Sequence, residues 1–164
     1  MKMKIPLRYL PNRLTSKDRR KQGREIMKSR RLYKKGIYHS RPKIASFTSN
    51  KSPHIANAER IYKVDTINAT DQLSKATGCS KAALAKIIRK GEGAYYSSGS
   101  RPNQSAQSWG IARLASAITS GKAAAVDYSI LEKGCKPNAK ALTLAKQARK
   151  KHGHGTRKAV KTIL

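Results

Sequence analysis

SKAALAKIIRKGEGAYYSSGSRPNQSAQSWGIARL, residues Ser80–Leu114, decides how this chain is read. Ser80 is placed to cap a helix, SKAALAKIIRKG, in which Leu84, Ile87 and Ile88 recur on one face and Gly91 supplies a stop. Ser105 is placed to cap a second helix, SAQSWGIARLASAITSG, ending at Gly121. Between them lies an unusual run of Gly, Ser and Tyr. Gly91, Gly93 and Gly99 permit backbone angles that other residues resist. Tyr95 and Tyr96 can bury their rings while keeping partners for their hydroxyls. Arg101 precedes Pro102 and is therefore expected in extended chain. Asn103, Gln104 and Ser105 can satisfy backbone groups at the start of the next helix. The expectation is an ordered loop clamped onto a helix, with Tyr95 and Tyr96 closing against Trp109. Tyr95, Tyr96, Arg101, Pro102, Asn103, Gln104, Trp109 and Arg113 would form a docking surface. GAYYSS is the one segment that would also suit a short strand.

Outward from this stretch the chain reads as helices. Thr15, with Asp18 three positions on, makes a capping box for a helix that Gly36 ends. Gly23 and a shortage of apolar residues weaken that helix, so it is expected to form firmly only against a partner. Residues 37–53 read as extended chain. Ser52 and Pro53 open HIANAERIY. TDQLSKATG ends at Gly78, KAAAVDYSILEKG at Gly134, and Asn138 caps NAKALTLAKQARKK. The fold class is mainly α: a small bundle of short helices with a long basic, partly extended N-terminal arm and a basic C-terminal tail.

Charge sets the organisation. Lys and Arg number 37 against 8 Asp and Glu in 164 residues, a net charge of +29. Residues 1–51 hold 17 basic and 2 acidic residues, 52–135 hold 11 and 6, and 136–164 hold 9 and none. A basic arm (1–51), a compact helical domain (52–135) and a basic helix and tail (136–164) are the expected divisions. Such an excess repels itself and attracts polyanions. Arg19, Arg20, Lys21, Arg24, Arg30, Arg31, Lys34, Lys35, Lys81, Lys86, Arg89, Arg149, Lys150 and Lys151 are the candidate polyanion-binding residues. No apolar run is long enough to cross a membrane, so an integral membrane protein is not expected. The start lacks the apolar centre of a signal peptide. Cys79 and Cys135 are too few for a disulfide framework and fit synthesis in a reducing compartment; whether they bond to each other stays open.

Catalytic chemistry finds little support. The Gly-rich stretch lacks the Gly-Lys-Ser/Thr of a phosphate loop and the spacing of a dinucleotide fingerprint. Ser97, Ser98 and Ser100 lie in no nucleophile elbow, and His39, His54, His152 and His154 are remote in sequence. Cys79, Cys135, His152 and His154 match no zinc spacing. No catalytic residue, cofactor or metal is therefore expected. Leu73–Gly91 has the spacing of a helix-turn-helix, with Lys81, Lys86 and Arg89 free to meet phosphate, but its second helix lacks the Asn or Gln that read base edges. Two core helices joined by a tight turn are the preferred reading, since helix pairs joined through Gly are abundant. An anion could also bind Arg101 and the amides near Ser105.

Three motifs carry a resemblance. GEGAYYSSGSRPNQ (Gly91–Gln104), SWGIARLAS (Ser108–Ser116) and GKAAAVDY (Gly121–Tyr128) resemble the hallmark of a domain family of unknown function from nucleocytoplasmic large DNA viruses and some phages. LTSKDRRKQ, SRRLYKKGIY and KSPHIANAERIYKV resemble the leading part of its large-virus members. The resemblance supplies no catalytic residues. It implies an origin in a large double-stranded DNA virus of algae or protists. The expectation is a non-enzymatic minor capsid protein, made in the host cytoplasm and placed on the inner capsid face. Its partners would be the major capsid protein and other minor capsid proteins, bridged by the basic arm, with nucleic acid or an inner membrane surface beside them. The alternative is a DNA-binding or genome-condensing virion protein.

Overall fold

The computed structural model describes residues 4–154 and 161–163. Among these residues are eight α-helices and a single two-stranded antiparallel sheet, so the fold is mainly α. The helices are α1 (Ser16–Tyr33), α2 (Pro53–Tyr62), α3 (Asp71–Thr77), α4 (Lys81–Ser97), α5 (Ala106–Ala117), α6 (Lys122–Val126), α7 (Tyr128–Gly134) and α8 (Lys140–His152). The strands are β1 (Lys4–Pro6) and β2 (Lys161–Ile163), paired Lys4 to Ile163 and Pro6 to Lys161. Residues 155–160 of the expected basic tail lie outside the described residues.

Most starts and stops follow local chemistry. The side chains of Thr15, Ser52, Thr70, Ser80 and Ser105 each accept a backbone N–H in the first turn of the helix they precede. Gly78 ends α3 in the left-handed conformation. Several expectations need correction. Helix α4 does not stop at Gly91 but continues through it to Ser97, so GAYYSS is helical and not a strand. The reason is packing. A Cβ on Gly91 would lie 2.6 Å from the Cα of Gly110, so this glycine lets α4 and α5 touch backbone to backbone. KAAAVDYSILEKG is two short helices broken at Asp127. Helix α8 begins after Ala139, not at Asn138, and has no side-chain cap.

The chain divides into two compact units. Unit 1 comprises residues up to Asn50, Glu92–Trp109 and the C-terminal strand; unit 2 comprises Lys51–Gly91 and the chain from Gly110. Helices α4 and α5 each contribute to both. Ala141, Leu142, Ala145 and Ala148 of α8 are buried in the same core as α6 and α7, so the basic C-terminal helix belongs to unit 2.

Unit 2 has an apolar core of Leu73, Leu84, Ile87, Leu114, Ile118 and Leu131 with many alanines. Cys79 and Cys135 are joined by a disulfide across 56 residues, which resolves the open question about them. Ser80 N–H donates to Gly134 O and Lys136 N–H to Gly78 O beside the bond. Unit 1 has a small core of Ile5, Tyr9, Leu10 and Ile26 with Trp109 against it.

Candidate polyanion-binding site

Helix α1 organises unit 1. The Thr15 hydroxyl accepts from Asp18 N–H at 3.2 Å, but the carboxylate of Asp18 does not return to Thr15. Instead it accepts from Ser46 N–H at 2.9 Å, while Ser46 Oγ accepts from Thr15 N–H. The expected capping box is closed through the extended segment. The Ser46 side chain and its backbone N–H hold the Asp18 carboxyl below its ordinary pKa, with help from Lys21 and Lys17. One face of α1 buries Gln22, Gly23, Ile26 and Ser29. Gln22 donates to the carbonyls of Tyr9 and Ser100, and Ser29 donates to that of Tyr96. The partner that firms α1 is thus another part of the same chain.

The loop after α4 is clamped by a residue that the sequence reading did not single out. Arg41 lies 3.8 Å over the Tyr95 ring. Its guanidinium donates to Tyr95 O at 2.7 Å, Ser100 Oγ at 2.7 Å and Ser29 Oγ at 3.1 Å, and its own N–H donates to the Tyr95 hydroxyl. Burial works against the charge and lowers the pKa of Arg41. Asn103, at φ +61°, accepts from Ile44 N–H and donates to the carbonyls of Ile44 and Phe47. Gln104 donates to Ser49 Oγ. Pro102 is buried and Arg101 is exposed. Asn103 and Gln104 therefore hold the 37–50 segment, which is irregular and turns at Ala45–Ser46, where Phe47 N–H donates to Ile44 O. The only sequence sign of Arg41 was its place before Pro42 inside that segment.

The aromatic cluster differs from the expected one. Tyr95 is 1% exposed and meets Tyr96 edge-on at 5.0 Å. Trp109 packs edge-on against Tyr9 at 5.9 Å and is not part of that pair. Tyr96 instead continues to Tyr38 at 5.1 Å, and Tyr38 to Tyr33 at 6.1 Å. The Ser105 amide is already bonded to Ser108 Oγ, which removes it from the anion site considered there.

The cations of unit 1 fall into two groups. Some are structural: Arg19 donates to Leu10 O, and Lys21 to Lys43 O. Others are exposed. Lys17, Arg20, Arg24, Lys28 and Arg31 recur every three or four residues and form one stripe along α1, with Lys35 just beyond its end. At its end is a cavity of about 680 Å³ whose lining includes Lys4, Arg8, Arg30, Arg31, Lys34 and Lys161 and no acidic residue. Arg30 is partly held, donating to Ser98 O at 2.8 Å and Lys4 O at 3.1 Å, and burial lowers its pKa. None of the six has a carboxylate partner among the described residues.

Unit 2 holds the other candidates. Leu84, Ile87 and Ile88 face inward and Lys81, Lys86 and Arg89 are exposed, as a helix-turn-helix or a plain core pair would both require. Lys81 is 3.3 Å from Asp71. Arg149 lies over the Tyr128 ring at 4.3 Å, and Lys150 and Lys151 are exposed. Arg113, expected at the docking surface, instead donates through Nε and Nη2 to both oxygens of Asp127, each at 2.8 Å. Lys90 donates to the same carboxylate at 2.9 Å, and Asp127 is 0% exposed. An acid within the apolar run KAAAVDYSIL was the available signal. Arg113 and Asp127 stand in the second and third motifs, and Ser116 Oγ accepts from Ala123 N–H between the same two motifs. These motifs therefore lock helices α5, α6 and α7 together. Among the described residues no cluster of three or more His, Cys, Asp or Glu could hold a metal, and no helix is long and apolar enough to cross a membrane.

No curated protein and no solved structure matches this chain. A family of unknown function, DUF5824, matches residues 6–153, nearly the whole of the chain just described. The chain belongs to that family.

Proposed function

We propose that the protein is a non-enzymatic structural component of a virion. It would be a minor capsid protein on the inner capsid face, with unit 1 presenting its cations to a polyanion. The observation that carries this reading is the stripe on α1 leading to a cavity with six cations and no acid. Cations so close together repel one another, and an anionic partner relieves that repulsion. The viral placement rests on the resemblance of the three motifs. The fold changes one part of the expected mechanism. Residues 4–50 are packed within unit 1, so contacts along neighbouring subunits are not needed to order them.

A genome-condensing role is the second reading, favoured by the same cavity. Fractionation of purified particles separates the two. Shells are opened, treated with nuclease and washed at high salt, and the protein is followed by mass spectrometry. Retention with the major capsid protein is the expected result. Release with the genome would favour condensation, and absence from particles would reject both.

A further inference from the structure

We infer that unit 1 carries a binding site for single-stranded nucleic acid, formed by the cation-lined cavity and an adjoining tyrosine platform. The inference rests on the polyanion reading of unit 1 but not on the virion placement. Two independent features adjoin in sequence at the C-terminal ends of α1 and α4. The first is the cavity, to which α1 gives Arg30, Arg31 and Lys34 and the end of α4 gives Ser97 and Ser98. The second is the chain of rings Tyr33, Tyr38 and Tyr96, which begins one residue before Lys34 and ends one residue before Ser97. Tyr38 is 68% exposed, and Tyr33 and the neighbouring Ile37 are exposed as well. A large aromatic side chain held in a ring cluster yet open to water presents a face that a flat partner can cover.

The chemistry selects the partner. A small phosphate compound would satisfy the cavity but would leave the stripe from Lys17 to Arg31 unused. An acidic protein could also pack on exposed rings, but its carboxylates are not strung evenly to match cations that recur every turn along α1. A duplex presents phosphates with its bases stacked inside. An unpaired strand offers both a line of phosphates and free base faces, and proteins that bind such strands combine a basic groove with aromatic side chains. The strand's phosphates would run along α1 into the cavity, and a base near its end would stack on Tyr38.

Fluorescence anisotropy of the full-length protein with labelled oligothymidylate of about 20 nucleotides, and with a duplex of equal length, tests this. The single strand should bind about tenfold more tightly than the duplex. Stacking is worth about 1–3 kcal/mol per base, so Tyr38→Ala should weaken single-strand binding about fivefold or more and leave duplex binding unchanged. Tyr38→Phe should bind like the unmodified protein. Arg31→Ala with Lys34→Ala should weaken both complexes and flatten the salt dependence of the single-strand complex by about 0.7 per cation. Lys133→Ala with Lys136→Ala, exposed in unit 2, should change neither. Equal affinity for duplex and single strand, or an unaffected Tyr38→Ala, would overturn the inference, as would equal losses from the two lysine and arginine pairs. Tyr38 is exposed, so its substitution leaves the core of unit 1 intact, and circular dichroism of each variant checks this. Loss of the protein from washed shells, by contrast, would overturn only the placement in the capsid.

Discussion

Unit 2 is held from within by apolar packing, and unit 1 by polar side chains that bind backbone. In unit 2, helices enclose Leu84, Ile87, Leu114, Ile118 and Leu131, with one disulfide and one buried carboxylate. In unit 1 the apolar core is small, and Gln22, Ser29, Arg41, Asn103 and Gln104 tie an irregular segment to helices. A basic segment with few large apolar residues can thus be ordered by hydrogen bonds to its own chain. Such bonds fix geometry while leaving the outer face free for charge.

The contrast can be broken at its strongest points. Asp127→Ala leaves Arg113 and Lys90 without their buried partner and should cost unit 2 about 3–5 kcal/mol, read by denaturant unfolding. Asp127→Asn should recover little, because the charge and not the shape is missing. Cys79→Ala with Cys135→Ala should cost about 2–4 kcal/mol in the same measurement. If this pair unfolds no earlier than the unmodified protein, packing alone holds α3 and α7 together. Gly91→Ala forces a Cβ into the backbone of Gly110 and should cost about 2–3 kcal/mol. A smaller loss would mean that α4 and α5 can separate cheaply at that point.

Unit 1 should respond to polar substitutions. Arg41→Ala removes three charge-assisted bonds and should cost about 2 kcal/mol. Fluorescence of Trp109 reports it, since that ring packs on Tyr9. The smallest effect concerns pH. Asp18 has a lowered carboxyl pKa, so its contribution is present above the ordinary carboxylate range and is lost as pH falls through the lowered value. Asp18→Asn should remove that acid-sensitive part of the unfolding profile and leave the neutral-pH profile nearly parallel.

Much of the helix content was legible because capping is local. Ser52, Thr15, Ser80 and Ser105 announce their helices without help from the rest of the chain. What was not legible depended on distance in sequence. Gly91 reads as a stop but serves a contact with Gly110, nineteen positions away. Tyr9 is Trp109's ring partner across a hundred residues, and nearer tyrosines were the natural choice. Among the polyanion candidates Arg20, Arg24, Arg31 and Lys34 are exposed, whereas the side chains of Arg19 and Lys21 donate to backbone carbonyls. Composition alone does not tell a solvated cation from one that ties two segments together.

The discontinuous make-up of unit 1 has a consequence for synthesis. A chain made N-terminus first presents α1 long before residues 92–109 exist, and β1 waits until β2 is made. Residues 51–91 emerge in between and belong to the other unit. For that interval Gln22, Ile26 and Ser29 have no loop to cover them, and folding of unit 1 is delayed by long-range closure. The order of translation therefore exposes this strongly basic helix well before the loop that shields its inner face.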